Sequence, residues 1–214
     1  MQTDGANLQY DRLLATPVAS SPFPHIVVPD FVPPEALRSI VAALPPMSSG
    51  GSFPPASLRL QPVVQALVRE LEGERLRQAI ADKFGLDLSD APSMLTLRGR
   101  TREKDGRIHR DSTAKRVTIL LYLNPENESW ARREGCLRLL RSADDIEDYA
   151  VEVPPVNGTL LAFPNGETTW HGHRQYVGRR YAIQLNYMAE GPKARTEMRR
   201  HHLSAFLKRF ASAA

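Results

Sequence analysis

Apolar residues recur at helical spacing in the first part of the chain and at strand spacing in the second. Leu37, Ile40, Val41 and Leu44 follow Pro33 and Pro34, which sit where a helix can begin. A second stripe, Val64, Leu67, Leu71, Leu76, Ile80 and Phe84, predicts helix over residues 62–84, with Gly73 as the expected break. Between and before these stripes, residues 25–28 are a short β-branched run that predicts a strand. Residues 45–57, rich in Pro, Gly and Ser, predict a loop. From Met94 onward the pattern shifts to short apolar runs separated by turns. Strands are predicted at 94–97, 117–123, 136–140, 149–153, 159–163, 168–176 and 180–188. Strands so closely spaced after a helical prefix predict a mainly β, α+β fold, a sandwich or barrel backed by helices. Gly158 and Val177-Gly178 mark turns, the second expected to join two antiparallel neighbours.

The last predicted strand carries the most information. Tyr181, Ile183, Leu185 and Tyr187 fall on one face, and Arg180, Ala182, Gln184, Asn186 and Met188 on the other. In a two-sheet fold the apolar face points inward. The alternative packs the apolar face under helices and lets the polar face line a ligand cavity, which explains why that face is mixed rather than freely charged. Thr118 and Tyr122 share a face of their own strand and are candidates for the same cavity.

Composition narrows the class. With 42% apolar and 24% charged residues the chain reads as globular, and no run approaches the ~18 apolar residues of a membrane span. No repeat or linker divides it, so a single domain over 1–214 is expected. Its parts are a helical and mixed segment at 1–92, a strand-rich core at 93–189, and a basic amphipathic helix at 190–214. Residues 1–21 lack the basic start and apolar run of a secretory signal. One cysteine, Cys136, excludes an internal disulfide framework and fits a reducing cytoplasm, the expected location. Cys136 itself reads as a buried strand residue. The net charge of +4 is uneven: eight Lys and Arg lie between Arg98 and Arg116, against Glu103, Asp105 and Asp111. A solvated loop has this look, and so does a trap for an anion. No aromatic side chain interrupts that segment, so nucleic acid is not an expected partner.

His109-Arg110-Asp111 places two metal-ligand candidates at i and i+2, on one side of an extended segment. His171, between Trp170 and Gly172, is the candidate third, with His173 as its competitor because it shares the same strand face. Two imidazoles and one carboxylate leave open coordination positions, the facial arrangement that iron(II) oxygenases use. Alone, a His-x-Asp pair is weak. Nine residues after His171, however, Arg180 opens the strand with the apolar outer face. Its planar fork suits a carboxylate held through two hydrogen bonds. His25, His201 and His202 read as structural or surface residues. No Gly-rich phosphate loop or nucleophile elbow is present.

Taken together, His109-Arg-Asp111, Thr118-Ile-Leu-Leu-Tyr-Leu-Asn124, Gly158-Thr-Leu-Leu-Ala-Phe163, Trp170-His171-Gly172 and Arg180-Tyr-Ala-Ile183 resemble the prolyl-4-hydroxylase-like branch of the 2-oxoglutarate/Fe(II) dioxygenases. The opening Pro22-Phe-Pro-His-Ile-Val-Val28 resembles small bacterial members. The resemblance implies a double-stranded β-helix, or jelly roll, buttressed by N-terminal helices. It implies Fe(II) on His109, Asp111 and His171, and 2-oxoglutarate held by Arg180 and Tyr122. O2 is the oxidant, with ascorbate as an accessory reductant. Aligning Arg180-Tyr-Ala-Ile183 selects His171 over His173 and leaves His173 to the cavity. Two positions depart from the family: Ala182 stands where Ser is common, and Leu97 or Arg98 where some members have Tyr. Asp111 is retained, which points to hydroxylation rather than halogenation.

The expected reaction is hydroxylation of an unactivated C–H with release of succinate and CO2. The arginines near the motif, Arg98, Arg100, Arg107, Arg110 and Arg174, favour a small anionic or carbohydrate-like metabolite. His173, Asn186, Arg110 and Arg98 are the candidate substrate contacts. The family likeness keeps a peptidyl-prolyl substrate as the alternative. Zinc hydrolysis is a further alternative for a His/His/Asp set. A third alternative is a non-enzymatic metal-binding jelly roll that docks on a membrane or a partner, a homodimer included. It rests on Leu203, Phe206, Leu207 and Phe210 beside Arg199, Arg200, Lys208 and Arg209, and membrane association is its less favoured form.

Overall fold

The computed structural model describes residues 7–126, 130 and 132–200. The chain runs α1 (Tyr10–Ala15), β1 (Ile26–Val28), α2 (Pro34–Ala42), a 3-10 turn (Pro55–Ser57), α3 (Pro62–Leu71) and α4 (Glu74–Phe84). The strands that follow are β2 (Ser93–Thr101), β3 (Lys115–Tyr122), β4 (Leu137–Leu140), β5 (Tyr149–Val153), β6 (Leu160–Pro164), β7 (His171–Gly172) and β8 (Gly178–Met188). A further helix, α5, covers 192–200 of the described residues. Pro34 and Pro62 occupy first turns, where a missing N–H costs nothing. Gly73 separates α3 from α4, as its place in the apolar stripe predicts: a side chain there would press on the Arg69 and Glu70 carbonyls. The six-residue α1 escapes sequence reading because one and a half turns offer too short a period.

The strands form two antiparallel sheets facing each other, a jelly-roll arrangement. The larger has the order β1-β6-β3-β8-β2, and the smaller the order β5-β4-β7. Alternation along the large sheet sorts its residues. Leu95, Leu97, Ile119, Leu121, Ile183, Leu185 and Tyr187 pack with Ile40, Leu67, Leu71, Leu76 and Ile80 of the helices. Tyr122, Leu161, Phe163 and Ala182 turn the other way and, with Phe23 from the segment before β1, meet Leu137, Leu139 and Val153 of the small sheet. The apolar face of β8 therefore lies under helices, the second of the two arrangements its alternation allowed.

Two expectations are corrected. The predicted strand at 168–176 shrinks to His171–Gly172. Local hydrogen bonds replace ladder pairing around it: Thr169 bonds Gly166, and the Trp170 N–H donates to the Thr168 carbonyl. Val177-Gly178 does not close a hairpin. It carries the chain from β7 in the small sheet to β8 in the large one. Leu203, Phe206, Leu207, Phe210, His201 and His202 lie outside the described residues. Among the described residues, no helix is long and apolar enough to cross a membrane.

Candidate active site

The segment before β3 is held to β7 by an antiparallel bridge, with the His109 and His171 N–H groups donating to each other's carbonyls at 3.0 Å. This brings residues 62 positions apart in sequence into ring contact, with centroids 4.3 Å apart. Two glycines permit the approach. A side chain on Gly172 would stand 2.8 Å from the Gly106 carbonyl, and Gly106, at φ +90°, lies against the His173 ring. Asp111 reaches the same point, and one ligand atom from each of His109, Asp111 and His171 lies within 4.8 Å of the others.

Each of the three side chains is already oriented. His109 Nδ1 donates to the Arg107 carbonyl at 2.8 Å, and His171 Nδ1 to the Thr169 carbonyl at 2.9 Å. Both rings are thereby fixed as the tautomer whose Nε2 carries a free lone pair, which a metal needs. Burial, with His109 second, lowers the His171 pKa to about 4, so the ring is neutral near pH 7. Asp111 Oδ1 accepts from Lys115 Nζ at 2.5 Å, and Oδ2 from the Thr118 hydroxyl at 2.6 Å. Burial alone would raise its pKa, but Lys115, His171 and Thr118 together outweigh it and hold it below the usual carboxylate value. The donor set is therefore two imidazoles, each with its Nδ1 tied to a carbonyl, and one ionised carboxylate, suited to a divalent cation.

These residues line a cavity of about 110 Å³ between the sheets, whose wall also includes Leu120, Tyr122, Leu137, Arg180, Ala182 and Gln184. Arg180, buried on β8, donates from Nε to the Gly135 carbonyl at 2.9 Å. Its Nη2 has no partner, and neither does the buried Tyr122 hydroxyl. The guanidinium carbon lies 5.3 Å from the Tyr122 ring centroid. Arg180 is near enough to oppose, through its charge, the upward push that burial gives Tyr122, without the two groups reaching hydrogen-bond geometry. Buried donors are rarely left unmade. Two of them facing one small cavity are what a carboxylate would complete.

Residues 99–188 match the family model of the 2OG-Fe(II) oxygenase superfamily. They form a 2OG-Fe(II) oxygenase domain. Its cofactors are Fe(II) and 2-oxoglutarate, with O2, and the His109–Asp111–His171 set fits the iron. Solved structures share the fold of this oxygenase. A prolyl-4-hydroxylase of Pseudomonas putida is 20% identical with a TM-score of 0.52, covering 87% of this chain and 93% of its own. A prolyl 4-hydroxylase of Phytophthora capsici is 15% identical at 0.53, covering 95% and 76%. A 2OG-Fe(II) oxygenase family oxidoreductase of Burkholderia pseudomallei is 13% identical at 0.52, covering 79% and 87%. No curated protein matches the sequence.

The remaining sequence candidates divide. His173 and Arg98 line the cavity, and Arg100 joins them. His173 Nδ1 donates to the Arg174 carbonyl at 2.8 Å, and burial followed by Arg180 lowers its pKa to about 4. Arg110 is corrected: it points outward, lies over the Trp170 ring at 4.6 Å and donates to the Glu167 carbonyl. Standing between two inward ligands on an extended segment, it has to face the other way. Asn186 is corrected too. It sits behind the wall, where Gln184 Nε2 donates to its Oδ1 and its own amide to the Met94 carbonyl. Arg174 is drawn outward by Glu147, and Arg107 lies outside the cavity wall. Sequence reading missed Lys115, whose signal was its place four residues after Asp111. It also missed Gly51, Thr101 and Asp105, which loops and a strand end bring to the cavity mouth.

Proposed function

We propose that this oxygenase hydroxylates an unactivated C–H bond of a small molecule, with His109, Asp111 and His171 as metal ligands and Arg180 and Tyr122 as the 2-oxoglutarate clamp. The observation that carries the reading is the pair of unpartnered donors, Arg180 Nη2 and Tyr122 Oη, in the cavity that also holds the three ligands. With metal and co-substrate bound, one oxygen atom of O2 enters the substrate as a hydroxyl, and the other converts 2-oxoglutarate to succinate and CO2. The protein's part is positioning. Arg180 and Tyr122 fix the distal carboxylate of the oxo acid. The carbonyl-tethered imidazoles fix two ligand directions, while Lys115 and Thr118 fix the Asp111 carboxylate. Leu120, Leu137 and Ala182 contribute the apolar part of the wall and keep bulk water from the reacting centre.

A cavity of about 110 Å³ with arginines on its wall favours a small substrate over an extended peptide. The buried, unreactive Cys136, its thiol pushed up to about 11 by burial and then Glu152, is compatible with the proposed cytoplasmic location. The test is succinate release from 2-oxoglutarate by Fe(II)-loaded protein. In His109→Ala it is expected to fall by more than about a hundredfold, beyond the usual cost of losing an outer-shell partner. Release at the wild-type rate removes the assignment.

A further inference from the structure

The charges around the cavity do not balance. Asp111 is paired with Lys115 at 2.5 Å, and Asp105 with Arg102 at 3.1 Å. Arg180 is spoken for by the distal carboxylate in the function proposed above, and the second carboxylate of the oxo acid goes to the metal. Arg98 is left over. It lines the cavity on β2 directly opposite Ala182, whose methyl group leaves it room. Among the described residues its side chain makes no hydrogen bond or ion pair. Arg100, on the same side of β2, also lines the cavity and is also without one. Gly99 between them lets the loop at Met47 close against the strand: a side chain there would strike Met47.

Arg98 is also uncomfortable where it stands. Its side chain is exposed to water, yet protein crowds it closely enough that burial, and then the charge of Arg180, lower its guanidinium pKa against the opposing pull of Asp111 and Asp105. Two like charges beside one small cavity persist when something anionic relieves them. The oxo acid relieves one of the two.

We propose that Arg98, assisted by Arg100, receives an anionic group of the substrate to be oxidised, a carboxylate or a phosphate. This deepens the function proposed above and rests on it for the occupancy of Arg180. The substrate is then a small acid that enters at the mouth, rests its anion on β2 and presents a C–H bond to the metal. His173, whose Nε2 is left as an acceptor by the bond from Nδ1 to Arg174, faces the same space and suits a hydroxyl or amine on such a molecule.

The experiment titrates inorganic phosphate, and separately acetate, into Mn(II)-loaded protein with and without saturating 2-oxoglutarate, by calorimetry. One of the two anions is expected to bind the 2-oxoglutarate-loaded protein. Arg98→Gln is expected to weaken it by about tenfold or more, and Arg98→Lys by less, since it keeps the charge and loses the fork. Arg100→Gln is expected to weaken it by a smaller factor and carries the same reading should Arg98→Gln fail to fold. Which anion binds separates a phosphorylated from a carboxylic substrate. Anion affinity unchanged in Arg98→Gln overturns the proposal, as does an Arg98→Gln defect confined to 2-oxoglutarate affinity. If 2-oxoglutarate fails to bind while phosphate or acetate binds through Arg98, the anion site stands and the co-substrate assignment falls.

Discussion

The helix-covered face of the large sheet and its cavity face are made by the same strands to opposite rules. On the helix side, Leu95, Leu97, Ile119, Leu121, Ile183 and Leu185 form one apolar layer with the helices. Across the sheet, one residue along in each strand, stand Thr118, Tyr122, Arg180 and Gln184. The first face is apolar except at its margin, where the hydroxyls of Tyr187 and of Tyr10 in α1 are also buried without a partner. The second leaves a guanidinium nitrogen and a phenol hydroxyl without partners. Buried polar groups without partners destabilise a fold, and only the cavity pair opens onto a space shared with the three metal-ligand candidates, where a ligand can complete it. Burial on the helix side is what sustains that cost.

The comparison breaks if a mutation on one face produces the other face's defect. Leu185, 1% exposed on the helix side, gives the largest expected effect. Leu185→Ala should cost about 2–5 kcal/mol in denaturant unfolding, with 2-oxoglutarate affinity of the folded protein changed by less than about twofold. Arg180→Lys should do the reverse. Loss of the fork should weaken 2-oxoglutarate binding to Mn(II)-loaded protein by about 10- to 100-fold, the worth of one or two charged hydrogen bonds, with cooperative unfolding retained. If Arg180→Lys melts like a core mutant and binds normally, the division of labour is wrong.

A smaller effect sharpens the contrast through pH. On the cavity side, burial lowers His171 and His173 from 6.5 to about 4, so in acid the unfolded chain takes up protons before the folded one does. Stability of the metal-free protein should therefore be full above pH 6.5 and decline as pH falls through 6.5 toward about 4. On the helix side, Tyr10 is pushed up to about 12 and Tyr187 also upward by burial, so neither titrates in that window. His173→Gln should flatten part of the decline in thermal melts between pH 7 and 4, near the values for His173 and His171. A slope unchanged by it would place the acid sensitivity elsewhere.

Much of this was legible in the chain because strand alternation is local. The spacing of His109 and Asp111 put them on one side, and the period of β8 separated Ile183 and Leu185 from Arg180 and Gln184. Arg110 was misread for want of applying that same rule. Its neighbours point inward, so it turns out to Trp170. Asn186 falls on the correct face of β8 but lies too far along the strand to reach the cavity, and alternation alone gives no depth.

Sequence by itself thus determined the metal-ligand candidates, the candidate carboxylate clamp and the two-faced strand, since each depends on residues within one or two strands. Tertiary structure alone decided that His171 and Arg180, nine residues apart, come from opposing sheets and not from neighbours in one. It also decided that Lys115 and Thr118 hold Asp111, and that Arg98 and Arg100 turn in while Arg107 and Arg174 do not. Those outcomes follow from which strands pair and which loops close over their ends. Pairing is set by apolar burial across distant segments, a sum over the whole chain that no local spacing contains.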